Sequence, residues 1–143
     1  MEDIYHEFPI NASPDRVFEA ISTPDGLSAW WTLQAEGVPI AGHIYGLNFG
    51  PGYAWRAAVA CCQAPNHIEW RFTVADPDWV GTRLRFLLRE VNRHTVVSFA
   101  HTGWPSVSEH FRVSSFCWAM YLRLLKRYVE QGEVIPYDRR LDA

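Results

Sequence analysis

The sequence predicts an α+β fold in which a curved antiparallel sheet of six or seven strands closes around one long C-terminal helix. Three observations point there. The stretch Ser106–Gln131 reads as a helix that is apolar over roughly two-thirds of its circumference, more than a surface helix needs. From Tyr45 to His101, apolar and polar residues alternate in short runs separated by turn residues, the period of half-buried strands. Two helix starts, each opened by a proline, follow the first strand directly. A sheet with one dry aromatic face and a helix with surplus apolar surface each supply what the other must bury.

In chain order, Ile4, His6, Phe8 and Ile10 alternate with Tyr5, Glu7 and Pro9, giving a strand with one apolar face. Pro9 cannot donate to a ladder, so this strand is expected away from the centre of the sheet. Ser13-Pro14-Asp15 then opens a short helix: a capping side chain, a proline in the first turn and an acid near the positive end of the dipole. Thr23-Pro24-Asp25 opens a second in the same way, and Val17, Phe18, Ile21, Leu27 and Trp30 form the apolar side of this helical corner.

From Trp31 onward the pattern is that of strands. Tyr45, Leu47 and Phe49 are followed by a turn at Gly50-Pro51-Gly52, then by Tyr53, Trp55, Ala57 and Val59 on one side. A turn at Pro65-Asn66 leads to Ile68, Trp70, Phe72 and Val74, and Asp76-Pro77-Asp78 separates these from Leu84, Phe86 and Leu88. Asn92-Arg93 turns the chain into Val97, Phe99 and His101. Short turns between successive strands favour an antiparallel meander with one dry face. Arg56, Arg71, Arg83, Arg85 and Arg89, with Glu69, occupy the other face, which reads as solvated and laced by cross-strand pairs.

The last helix carries its own end signals. Ser106 and Glu109 fit a capping box, Gly132 suits the left-handed residue that follows a last turn, and Pro136 blocks a restart. At 1.5 Å per residue the helix spans roughly 37 Å, enough to cross a small sheet. The tail beyond Gly132 is polar and is expected to be loosely held.

With 143 residues the chain is expected to form a single domain over 1–143, large enough for a core without staples. A formal charge of −3 gives no electrostatic reason to expect nucleic acid or an anionic membrane as partner. Cys61, Cys62 and Cys117 are an odd set without paired-motif spacing, so no disulfide framework is expected. No stretch approaches the roughly 20 apolar residues of a membrane span. The acidic opening MEDIYHEF does not resemble a secretion signal, and a cytoplasmic location is the expectation. The six histidines are scattered, with no HExxH, and there is no P-loop, dinucleotide fingerprint or GxSxG; neither a metal nor a cofactor is implied.

The run Ala12-Ser13-Pro14-Asp15-x-Val17-Phe18-x-Ala20-x-Ser22-x-Pro24-x-x-Leu27-x-x-Trp30-Trp31 resembles the opening of START-like (SRPBCC) proteins. More closely, it resembles their branch called activator of heat-shock protein 90 ATPase-like. His101-x-Gly103-Trp104 and Trp118-x-x-x-Leu122-x-x-Leu125-Lys126-x-Tyr128-x-Glu130-x-Gly132 are similar to the remainder of that branch. The resemblance implies a helix-grip fold with an apolar cavity between the last helix and the sheet, and relatives that bind or transform lipids, polyketides and other hydrophobic molecules. It remains an analogy for function.

On that basis the expected function is binding of a hydrophobic or aromatic small molecule in such a cavity. Trp55, Trp70, Phe72 and Phe86 from the sheet would line it, with His101 and Trp104 at the sheet's end and His110, Cys117 and Tyr121 from the helix. At least one of Trp30 and Trp31 would cover its mouth, and Trp79, in a loop, would be a lid or a dimer contact. Two alternatives stand beside this. One is an enzyme of the cyclase, dehydratase or hydrolase type with His101, and secondarily His110, as acid or base, partnered by a carboxylate such as Glu36 or Glu109. The other is an interaction module, a co-chaperone-like protein or a homodimer.

Overall fold

A computed structural model describes the whole chain, Met1–Ala143. β1 (Glu2–Ile10) leads into α1 (Pro14–Ser22) and α2 (Pro24–Trp30). Six strands follow: β2 (Gln34–Glu36), β3 (Ile44–Asn48), β4 (Ala54–Gln63), β5 (His67–Val74), β6 (Arg83–Val91) and β7 (His94–Trp104). α3 (Glu109–Gln131) then crosses the sheet, and a single 3-10 helix, Tyr137–Asp142, ends the chain.

The seven strands form one antiparallel sheet in the order β1-β7-β6-β5-β4-β3-β2. β2 to β7 are a meander, and β1 joins at the far side against β7, with Ile4 opposite His101 and Phe8 opposite Val97. Pro9 therefore lies on an edge strand, the position that a residue without an N–H tolerates. Asn92 and Arg93, both at positive φ (51° and 70°), make the tight turn between β6 and β7. Register shifts between Arg56 and Ala57 and between Val59 and Cys61 bend β4, and such bulges help the sheet to curl.

Thr23 joins the two short helices with little room to spare. Its N–H bonds to Glu19 O at the end of α1, and its hydroxyl accepts from the Gly26 N–H at 3.0 Å to cap α2. A Cβ at Gly26 would lie 2.6 Å from the Ala20 carbonyl oxygen, so the corner can close this tightly only on glycine. The corner is fastened to α3 by Arg16, whose guanidinium donates to Val129 O at 3.0 Å.

α3 departs from the sequence expectation in two respects. Its N-cap is Ser108, whose hydroxyl accepts from the Phe111 N–H, and Glu109 is the first helical residue; the expected box of Ser106 with Glu109 does not form. The helix is also less enclosed than its composition suggests. Ser114, Trp118, Leu122, Leu124, Leu125 and Val129 are buried, whereas Val113 is exposed and Phe116 is 80% exposed. The sheet thus grips one side of the helix, where burial of each large side chain contributes about 1.5–3 kcal/mol before ordering entropy is counted. Gly132 ends the helix in the left-handed region, as expected.

The tail is a second correction. It is pinned, because Arg140, 3% exposed, donates from its three guanidinium nitrogens to the carbonyls of Ile135, Thr32 and Ser28 at 2.8–3.1 Å. Tyr137 adds a bond from its hydroxyl to Phe49 O at 2.9 Å.

Candidate functional site

Alternation at a period of two turns Trp55, Trp70, Phe72, Phe86, Phe99 and His101 toward the concave side of the sheet. Trp30 and Trp31, at the end of α2, and Trp118, on the buried side of α3, meet them there. The rings touch one another continuously: Phe99 to Trp118 at 4.7 Å, Trp31 to Trp118 at 5.1 Å, Trp70 to Phe86 at 6.4 Å and Trp30 to Phe86 at 6.4 Å between centroids. Edge-to-face and tilted geometries prevail, as quadrupolar rings prefer.

Trp79 sits in the middle of this cluster. The loop between β5 and β6 supplies it, and it is 7% exposed rather than projecting as a lid or a dimer contact. Its ring lies 4.5 Å from His101, 4.9 Å from Trp55, 5.1 Å from Phe72, 5.6 Å from Trp104 and 6.1 Å from Trp118. The space between helix and sheet is therefore filled by side chains, with Trp79 as its plug.

His101 is fully buried. Its Nδ1 lies 3.1 Å from the Trp118 indole nitrogen, which can only donate, so Nδ1 accepts. Its Nε2 then carries the proton and donates to the Thr82 hydroxyl at 2.8 Å, while that hydroxyl donates onward to Trp79 O at 2.6 Å. Burial, aided by nearby His110, drives its pKa down to about 3, so the ring is neutral. Both nitrogens are engaged, no carboxylate is among their partners, and Trp104 packs at 4.7 Å. Acid–base work by His101 would first require breaking one of these bonds.

His110 stands at the rim, half-exposed, and its Nδ1–H donates to both carboxylate oxygens of Asp78 at 2.8 and 2.9 Å. The histidine's partner is thus Asp78, not Glu36 or Glu109, and it ties α3 to the Trp79 loop. Cys117 is half-buried and its thiol is pushed up by burial, which disfavours the reactive thiolate. Tyr121 is half-buried against Trp118, and burial is the main cause that pushes its pKa to about 12.

Polar groups in the interior are mostly paired: Trp30 donates to Ala20 O at 3.0 Å and Tyr45 to Ser22 O at 2.7 Å. Five buried nitrogens are not: His6 Nε2 on β1, Arg85 Nε on β6 and, within the aromatic cluster, the indole nitrogens of Trp70, Trp79 and Trp104. An unpaired buried donor costs about 1–3 kcal/mol, so three in one aromatic cluster are uncommon in a finished core.

The larger open grooves lie elsewhere. One of about 460 Å³ runs along the outer side of α3, lined by Phe116, Met120, Arg123 and Arg127. Another, about 330 Å³, lies between β1 and α3 beside His6, Phe8, Leu122 and Arg123. Of the predicted lining residues, Trp55 borders a depression of about 170 Å³ at the β2–β3–β4 edge. No group of three or more His, Cys, Asp or Glu converges to hold a metal ion, and no helix is long and apolar enough to cross a membrane.

The family described as "Activator of Hsp90 ATPase homolog 1-like protein" matches residues 11–130, from the turn after β1 to nearly the end of α3. The chain belongs to this family. Its structure is similar to the Aha1 dimer from Colwellia psychrerythraea, at 30% identity and a TM-score of 0.85, over 93% of this chain and 99% of that one. A Bacillus halodurans protein superposes with a TM-score of 0.76 at 24% identity, over 91% and 98% of the two chains. CalU16 from Micromonospora echinospora does so at 0.72 and 19%, over 91% of this chain and 77% of that one. These last two likenesses concern the fold. No protein of curated function matches the sequence.

Sequence reasoning missed Thr82, Asp78 and Arg140 as partners, and placed Trp79 outside the core. Gly81, at φ +85°, lets the loop fold back on itself, but a loop glycine alone does not mark Trp79 for the core.

Proposed function

We propose that this Activator of Hsp90 ATPase-like protein binds a flat hydrophobic small molecule between α3 and the sheet, in the space now held by Trp79. The observation that carries the proposal is that a loop residue, not a strand or helix residue, plugs the aromatic cluster. Strand ladders hold Trp55, Trp70 and Phe72, whereas Trp79 lies outside the ladder, and its segment is retained by turn bonds, by the Gly81 N–H on Phe72 O, by the Thr82 hydroxyl on Trp79 O and by the Asp78–His110 pair. Such a segment can open without breaking the sheet, and a ligand that takes over the ring contacts of Trp79 offsets what the indole loses on leaving. A ligand ring entering in place of the indole would meet the same faces and edges, and burial would supply affinity at about 25 cal/mol per Å².

Calorimetry and intrinsic fluorescence with bicyclic aromatics of indole size test this. Saturable binding that shifts tryptophan emission is expected. Absence of both signals, in the native chain and in Trp79→Gly, would overturn the proposal.

A second reading is self-association, favoured by Val113, Phe116 and Met120 along one open side of α3 and by the dimeric Colwellia relative. Phe116→Asp should shift a sedimenting dimer to monomer; a native chain that sediments as a monomer at high concentration overturns it.

A further inference from the structure

We infer that the ligand bound in place of Trp79 carries an uncharged hydrogen-bond acceptor, such as a ketone, quinone or ether oxygen, which the Trp104 indole N–H takes. This rests on the binding reading above and specifies the ligand's chemistry.

The inference follows from what the interior has left to offer. Every acceptor at its centre is in use: His101 Nδ1 receives the Trp118 N–H, Thr82 receives the His101 N–H, and Trp79 O receives the Thr82 hydroxyl. What remains unpaired around Trp79 is made of donors alone, the indole nitrogens of Trp79, Trp104 and, at the other end of the cluster, Trp70; the other unpaired ring nitrogen, His6 Nε2, belongs to β1, where the imidazole packs on Phe99 and not on Trp79. A guest bringing further donors would add to the deficit, whereas one bringing an acceptor would relieve it. Neither would a charge be matched. At the centre the ionisable group is His101, which burial keeps neutral, so a charged ligand group would meet no opposite charge beside the vacated indole position.

Of the three donors, Trp104 is the one placed to serve. Its ring stands edge-to-face with Trp79 at 5.6 Å and is held by His101, His110 and Phe111 at 4.7, 5.7 and 5.4 Å. When Trp79 leaves, Trp104 stays and borders the vacated space. The departing Trp79 indole exchanges an unpaired state for water, which favours its displacement. Trp70 belongs to the other end of the cluster, against Tyr45 and Phe86.

Matched ligands test the assignment. Indane and indanone have nearly the same shape and differ by one carbonyl oxygen. The native chain should bind indanone about five- to tenfold more tightly than indane, the worth of one neutral hydrogen bond, and indane carboxylate more weakly than either. Trp104→Phe should bind indane as before and lose the preference for indanone, while Trp70→Phe should keep it. Should Trp104→Phe fail to fold, indole N–H resonances of the native chain serve instead: indanone, but not indane, should move the Trp104 signal downfield. Equal affinity for indanone and indane, or an unmoved Trp104 signal, would overturn the donor assignment while leaving the binding reading in place. Binding of neither compound overturns both.

Discussion

The indole N–H of Trp118 on α3 donates to Nδ1 of His101 on β7 across 3.1 Å, inside a cluster from which water is excluded. This bond joins the gripped helix to the centre of the sheet and requires a neutral imidazole. It makes stability depend on pH in a stated direction. His101 titrates near 6.5 in the unfolded chain and near 3 in the folded one. Between those values the unfolded chain holds the extra proton, so the contribution is whole above 6.5 and is lost as pH falls toward 3. The unfolding free energy from urea titrations should fall with acidification by up to about 1.4 kcal/mol per pH unit from this group. His101→Gln keeps a donor and an acceptor but does not titrate, so its curve should be flatter between about pH 5 and 6.5. Parallel curves for the two proteins would count against the assignment.

Trp79 should behave as a core residue although a loop carries it. Trp79→Ala removes a side chain buried among six aromatic rings, and should destabilise by about 3–5 kcal/mol. Free indole should raise the melting temperature of the variant far more than that of the native chain. A variant as stable as the native protein would mean that the loop does not rest in the cluster in solution.

Much of this architecture was legible because it depends on local patterns. Period-two alternation put Trp70, Phe72, Phe86, Phe99 and His101 on one face, and the prolines and caps at Ser13 and Thr23 marked both short helices. What could not be read depends on long-range pairing. Arg140 reaches carbonyls more than a hundred residues away, at Ser28 and Thr32, and nothing beside it in the chain marks that destination. Trp79 likewise looks like any loop aromatic until the strands on either side curl and bring His101 beneath it. Apolar residues on α3 also exceed what the sheet can cover, so the helical projection implied burial for Phe116 that the curvature does not provide.

The start of α3 separates two serines that the sequence alone makes hard to rank. Ser108 accepts from the Phe111 N–H at 3.2 Å, so Ser108→Ala should cost about 0.5–2 kcal/mol. Ser106 is exposed, and Ser106→Ala should stay within about 0.5 kcal/mol of the native stability. Chemical denaturation of the two variants decides between the caps; the reverse ranking would restore the box with Glu109.

Arg140 should prove to be the residue that holds the tail to the helical corner. The carbonyls it serves at Ser28 and Thr32 lie in and just beyond the last turn of α2, where a cation also complements the dipole. Arg140→Met keeps most of the apolar stem but leaves three carbonyls without their donors, each worth about 1–3 kcal/mol if water does not reach it. Lysine cannot substitute well, because one ammonium on a flexible stem does not present the planar fork that meets Ile135, Thr32 and Ser28 together. Arg140→Lys should therefore recover only part of what Arg140→Met loses, and both should speed proteolysis after Gly132 relative to the native chain. Equal protection in all three proteins would show that Tyr137 and the 3-10 helix hold the tail without the guanidinium.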